Sequence, residues 1–415
     1  MQVSIKRLLT VAAAASLLGL AACLGLSEAD ERYNAGVESL SEQRFNDAIA
    51  QFDLAISLEP SSAAFHNRAL AKERAGNLTG AVDDYTRSIE LGPDLAITYA
   101  NRAGVYNQLG DFQSALEDLR QSLSLDNDSV AAHTQLGLAL VNLDRPEEAL
   151  GSLDRAIDLD SSYAFAYSIR ALAHLSLGAP ESAIADLDRT IQTDPENASL
   201  YLNRGVAQEA ARNLESAVAD YSQAILINPT YLTAYVKRGS AYDDLGRFDD
   251  AVSDYNAALY LAPDSPVIYT NRGASYHAQG QSTKALADFN AAISLDPDSA
   301  LAWYNRGIAN EDLGRLEEAV GDYGRVMAIS PGNIDALINR ALVYSTLERY
   351  RSSITDMDRA VEIDPTYAKA YLIRARAYAR LGLETLSQAD IDRAVDLGVD
   401  RAQAVLSIAR PAPSP

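Results

Sequence analysis

Side chains able to do covalent or metal chemistry are sparse in this chain. One cysteine, Cys23, and four histidines, His66, His133, His174 and His277, are spread over 415 residues. A metal site needs imidazoles or thiolates at short spacing, and no pair here has it. A nucleophilic site needs a hydroxyl or thiol, a histidine base and an orienting acid, and no such order appears in the sequence. Nor does a phosphate-cradling loop or a dinucleotide fingerprint. A single cysteine excludes an intramolecular disulfide. The net charge is -22, from 35 Lys+Arg against 57 Asp+Glu, which removes the basic footprint that nucleic acids require. These residues lead us to expect a non-enzymatic protein with no cofactor, no metal, no nucleic-acid partner and no small-molecule substrate.

The chemistry open to Cys23 depends on what precedes it. Lys6 and Arg7 are followed by an apolar run, rich in Ala and Leu, from Leu8 to Ala22, the grammar of an export signal. The stretch Leu20-Ala21-Ala22-Cys23 resembles the lipobox of bacterial lipoproteins. That resemblance implies removal of a signal peptide, residues 1–22, and transfer of a diacylglyceryl group to the Cys23 thiol. Residues 23–28 would then form a lipidated N-terminus and short linker, with the protein lipid-anchored and exported. Leu24, where some inner-membrane lipoproteins carry aspartate, directs the expectation to an outer membrane facing the periplasm. Plain secretion and an uncleaved anchor stay open, because Leu8 to Leu26 supplies 19 mostly apolar residues, close to one membrane span.

The elements that follow come from one motif used eleven times. The chain aligns on itself with a period of 34 residues and a single 33-residue step. Units start at Ala29, Ser62, Ala96, Val130, Ala164, Ala198, Leu232, Pro266, Ala300, Ile334 and Ala368. In-unit positions below are counted from these residues. Position 8 is always Gly or Ala, and position 20 is Ala in nine units and Ser in two, Ser353 and Ser387. Position 24 is large and apolar or aromatic, as in Phe52, Tyr85, Leu119 and Tyr323. Positions 4, 8 and 11 share one face of a first helix, and positions 20, 24 and 27 share one face of a second. Small residues at 8 and 20 allow close approach, and the bulky residues fill the gap. Glycine near position 15, as at Gly76, Gly110 and Gly246, ends the first helix. Proline at position 32, in eight units, stops the second.

This pattern resembles the tetratricopeptide repeat (TPR) family over residues 29–401. The resemblance implies an all-α, right-handed superhelical solenoid of eleven helix-turn-helix repeats, concave on its first-helix side. Residues 402–410 would form a C-terminal capping helix, needed to cover the apolar end, and 411–415 a disordered tail.

Two sets of polar positions then need roles. Arg at position 7 and Asp at position 23 occur in the same nine units, for example Arg68 with Asp84 and Arg306 with Asp322. Unit one has Ala35 with Gln51, and unit four has Leu136 with Ser152. Co-occurrence predicts an ion pair within each repeat, the alternative being two solvated charge stripes. Position 6 carries Asn34, Asn67, Asn101, Asn203, Asn271, Asn305 and Asn339, with Lys237 in unit seven, Gln135 in unit four and isoleucines in units five and eleven. In the resembled family this position faces the groove, where an amide can match both groups of a peptide bond. The alternative is an asparagine copied for structural reasons. The basic two-carboxylate clamp known in some family members is not matched.

Glu209, Asp243, Asp244, Glu311 and Asp312, at positions 12 and 13, favour a neutral or basic partner segment, unless they are simply solvated helix ends. Unit four, with Asp144-Arg145-Pro146 in place of the glycine turn, is expected to be a soft joint. The functional expectation is a membrane-anchored scaffold or adaptor that binds extended peptide segments in its groove and organises envelope proteins. The alternative is an assembly component of an envelope or secretion complex, held through its convex face or its ends.

Overall fold

The computed structural model describes residues 27–92 and 95–409. The export signal, Cys23, Pro93 and residues 410–415 lie outside them. Among the described residues every regular element is an α-helix, 23 in all. They fall into two compact units, Met1–Arg212 and Asn213–Pro415. The first holds repeats one to five and the first helix of repeat six, Ala198–Ala210. The second begins with Leu214–Ile227, contains repeats seven to eleven and ends with the helix Arg401–Ala409.

Helix limits follow from local chemistry. Ser27 caps the helix Glu28–Ser41 by accepting from the Asp30 backbone at 3.1 Å, while the Asp30 carboxylate accepts from the Ser27 backbone at 3.0 Å, a reciprocal capping box. Pro146, Pro180 and Pro266 stand at the first helical position, where the missing N–H costs nothing. At position 15 the chain leaves the first helix in the left-handed region in all eleven repeats. Seven use glycine, from Gly76 (φ 83°) to Gly382 (φ 72°). The other four place Gln43, Asp144, Arg212 and Glu348 there at φ between 58° and 63°, at a cost of about 1–2 kcal/mol per residue.

Within a repeat the two helices touch through positions 8, 20 and 24. In repeat nine, with helices Ala300–Asp312 and Leu316–Ile329, Ala319 and Tyr323 are fully buried. A Cβ built on Gly307 would lie 2.7 Å from the Tyr323 ring, so the small residue is what lets the ring seat. Burial of one such ring is worth roughly 2–3 kcal/mol. Within each unit most successive first helices also pack on one another, whereas successive second helices make no comparable contact. The first helices therefore lie on the inner side of the local curvature.

The predicted ion pairs form. In eight repeats the arginine at position 7 grips its own position-23 aspartate with two bonds, as in Arg68–Asp84 (2.7 and 2.6 Å) and Arg374–Asp390 (2.8 and 2.7 Å). The aspartates are buried, Asp322 retaining 3% exposure. Every clasp guanidinium except that of Arg340 also reaches back to position 25 of the preceding repeat. Arg68 bonds Asp53, Arg102 bonds Thr86, Arg170 bonds Asp154, Arg204 bonds Asp188, and Arg306 bonds Asn290, all at 2.6–2.9 Å. The pair is thus a clasp that closes a repeat and stitches it to its predecessor. Arg340 faces Gly324 instead, and among the described residues it makes only its Asp356 bonds.

The soft joint expected at repeat four is not observed. Asp144 makes the same left-handed turn that glycine makes elsewhere. Leu136, in place of the clasp arginine, joins Leu116, Leu119, Leu140, Leu153 and Ile169 in a continuous apolar cluster spanning repeats three to five. Apolar packing replaces the clasp there, and the division between compact units falls after Arg212.

Candidate binding face

The inner face is built from positions 2, 5, 6, 9, 12 and 13 of the first helices, and position 6 lies along its middle. Asn34 is exposed, while Asn67, Asn101, Asn203, Lys237, Asn271, Asn305 and Asn339 are half-buried. They divide into two kinds. Asn67 donates from Nδ2 to the Tyr33 hydroxyl at 2.8 Å, and Asn339 donates to the Tyr304 hydroxyl at 3.0 Å. Asn101 Nδ2 stands 3.5 Å from His66 Nε2. Each partner is the position-5 side chain of the preceding repeat, so these amides spend one N–H on bracing neighbours. His66 is held below the ordinary histidine range by burial, and its Nδ1 lies 2.9 Å from Thr98 Oγ1. The side-chain amides of Asn34, Asn203, Asn271 and Asn305 bond no other described residue. Asn271 and Asn305 occupy adjacent repeats and keep both a donor and an acceptor for something else.

The acids at position 12 are not simply solvated. Tyr85 donates its hydroxyl to Glu73 (3.1 Å), Tyr255 to Asp243 (2.9 Å) and Tyr323 to Glu311 (3.1 Å). Burial, then the adjacent carboxylate, pushes all three phenols up. Burial likewise raises Asp243 and Glu311 above the ordinary carboxylate values, against the lowering effect of the tyrosine bonds. Ser275 of the next repeat adds a bond to Asp243 at 2.7 Å. The sequence carries a signal for these pairs: tyrosine at position 24 occurs in repeats two, six, seven and nine, and those are the repeats with an acid at position 12. The remaining exposed acids of the C-terminal unit's face are Asp244, Asp312 and Asp335, with Asp312 2.6 Å from His277 Nε2.

The residues read as core aromatics behave in two ways. Tyr85, Tyr255 and Tyr323 at position 24 are sealed in. At position 4 the aromatic rings lie under the clasp arginine, half-buried at Phe65, Tyr201, Tyr269 and Trp303 and buried at Tyr167, as where Arg306 lies 4.4 Å over the Trp303 ring. His133 is buried, and its Nε2 lies 3.0 Å from the Asn127 carbonyl. Among the described residues no group of His, Cys, Asp and Glu could hold a metal ion, and no helix is long and apolar enough to cross a membrane.

Models of known families match the chain along most of its length. A tetratricopeptide repeat model matches residues 33–96, 170–231 and 270–334; a TPR repeat model matches 103–144 and 239–280; a further tetratricopeptide repeat model matches 130–163 and 334–367. No curated protein matches the chain. Among solved structures it is similar to a tetratricopeptide repeat protein from Parabacteroides merdae, at 19% identity and TM-score 0.47, covering 60% of this chain and 100% of that one. The C-terminal part of a TPR repeat-containing protein from Cytophaga hutchinsonii gives 19% identity and TM-score 0.49, with 57% and 97% covered. Yeast Tom70 gives 15% and 0.45, with 92% and 94% covered. These are likenesses of fold. With the family models matched from residue 33 to residue 367, the chain belongs to the tetratricopeptide repeat family, a fold used in general as a scaffold for protein–protein interaction.

Proposed function

We propose that this protein is a membrane-tethered adaptor that binds extended segments of other proteins on its first-helix face. The observation carrying this reading is the pair Asn271 and Asn305. Their half-buried amides bond no other described residue, and the exposed apolar side chains Val267 and Leu301 stand one turn away. An extended chain laid across them would exchange backbone hydrogen bonds with the amides and bury apolar side chains beside them. Such contacts read backbone more than sequence, which suits an organiser of several envelope proteins. The tether is assigned to Cys23, through the lipobox-like stretch before it, with the protein exported and facing the periplasm from the outer membrane.

Covalent cross-linking and capture from membrane fractions tests the face. The native protein is compared with an Asn271→Ala, Asn305→Ala variant of unchanged helical content. Asn339 is left alone, because it braces Tyr304. Partners lost with the two amides support the reading, and the same partners at the same yield refute it. Cys23→Ser tests the tether, which predicts release from membranes. The second reading, docking through the outer side, rests on Leu226 and Tyr260. These occupy the same second-helix position in adjacent repeats, with 73% and 87% exposure. Leu226→Ser with Tyr260→Ser is its matching variant.

A further inference from the structure

We propose that the face of the C-terminal unit is electrically graded. It holds an extended partner segment of mixed charge, whose basic stretch lies on repeats seven to nine and whose acidic stretch lies on repeat eleven. This rests on the peptide-binding reading above and adds to it which end of the segment goes where. Amides alone do not fix that, because a peptide bond presents a donor and an acceptor in either direction.

The gradient is visible in one row of side chains. At position 13, repeats seven to eleven read Asp244, Ala278, Asp312, Thr346 and Arg380. Repeat eleven adds Lys369 and Arg376 on its helix Ala368–Arg380. Their spacing of i, i+7 and i+11 brings all three cations to one face. No other repeat has a basic residue at the positions of Lys369 or Arg376, and only Arg74 shares the position of Arg380. Three departures from a copied motif thus converge on one surface in a chain of net charge -22. Lys369 and Arg380 are exposed. Burial, and then the charge of Arg380, hold Arg376 below the ordinary arginine value.

At the other end Asp244 and Asp312 are exposed, each in the last turn of its helix. A carboxylate there opposes the helix dipole, and a partner's cation would relieve it. The cation on this stretch, Lys237, is half-buried and already engaged. His277 Nε2 lies 2.6 Å from Asp312, and the exposed Asp335 of repeat ten lies between the two ends. First helices packed side by side lie roughly 8–10 Å apart. Repeats nine and eleven are therefore about 16–20 Å apart, or about five to six residues of extended chain. Complementary charge at both ends fixes register more than it adds affinity.

Fluorescent peptides of a single composition test this on the full chain in detergent, by anisotropy at low salt. One isomer carries its lysines and its aspartates in two separate blocks, and the other alternates them. The block isomer should bind about fivefold tighter, each end contributing a factor of two to three, as expected of partly exposed pairs. Asp244→Asn with Asp312→Asn, or Lys369→Gln with Arg380→Gln, should each remove most of that preference. All four residues are exposed, and circular dichroism verifies folding. A photo-cross-linker on the acidic block should label residues 368–380. Equal binding of the two isomers, or labelling of repeats seven to nine by the acidic block, overturns the graded face and leaves the peptide reading standing. Tighter binding of a wholly acidic peptide overturns it too, by making repeat eleven a site alone. Failure of every peptide to bind removes both readings.

Discussion

Arg306 and Asp322 can be replaced singly and together, and the energetic difference between the variants tests the clasp. The Asp322 side chain is 4% exposed and that of Arg306 21%. Arg306→Leu strands a buried carboxylate whose remaining partner is Asn310 Nδ2 at 2.9 Å. Loss of one member of such a pair costs about 3–5 kcal/mol. Asp322→Ser strands the more exposed guanidinium, which keeps Asn290 at 2.7 Å and the Trp303 face, so its cost should be lower, about 2–3 kcal/mol. The double variant recreates the Leu136 and Ser152 of repeat four and leaves no unpaired charge. It should recover more than half of the larger single loss. Trp303 is the chain's one tryptophan and belongs to the same repeat, so its fluorescence in urea reports this clasp locally. That matters in a solenoid, where repeats need not unfold together. A double variant no more stable than Arg306→Leu, or equal costs for both single variants, would refute the account of a desolvated, mutually dependent pair.

Glu348→Gly should stabilise repeat ten by about 1 kcal/mol, because the left-handed turn at φ 58° no longer carries a Cβ; an unchanged urea midpoint would count against strain there. Gly324→Asp should stabilise by about 1 kcal/mol, by removing a helical glycine and giving Arg340 the partner its counterparts have, and Gly324→Ala separates the two contributions. Glu311 is raised by burial above its reference value of 4.5, so its ionisation in the folded state works against stability. Protonation favours folding most below pH 4.5, and that contribution is lost as pH rises through the higher folded value. Glu311→Gln should therefore match or exceed the native protein in melting temperature at neutral pH. The advantage should vanish in acid, and a variant less stable at neutral pH would show that the Tyr323 bond dominates.

The scaffold was legible in the sequence because each structural need recurs eleven times. Arg and Asp vanish together from the units that lack the clasp, and small residues recur wherever a ring must seat. What stayed hidden depends on contacts between different repeats. Asn67 and Asn339 look identical to Asn271 along the chain, yet the first two meet a tyrosine on the preceding repeat. The acids at position 12 resembled a groove lining until their covariation with position 24 was seen as a buried hydroxyl seeking an acceptor. Gln43, Asp144, Arg212 and Glu348 concealed the left-handed turn because propensity alone would not place them there. In repeat four, missing polar signatures suggested looseness, whereas leucines had taken over the packing.

The back-stitch of the clasp has a bearing on how such a chain can be lengthened or shortened. Its acceptor at position 25 is Asp53, Thr86, Ser222 or Asn256 according to the repeat, so almost any hydrogen-bonding oxygen serves. Most junctions are therefore interchangeable, and an in-phase deletion of one repeat joins an arginine to another suitable acceptor. Two junctions differ: between repeats nine and ten Gly324 offers Arg340 no acceptor, and between repeats three and four the chemistry itself changes. Position 25 there is Arg120, and the clasp arginine is replaced by Leu136. Cutting between them would leave Arg120 facing a foreign arginine and Leu136 facing a foreign polar acceptor. Recombination within this gene is thus expected to carry repeats three and four as an inseparable cassette, while the others can be gained or lost one at a time.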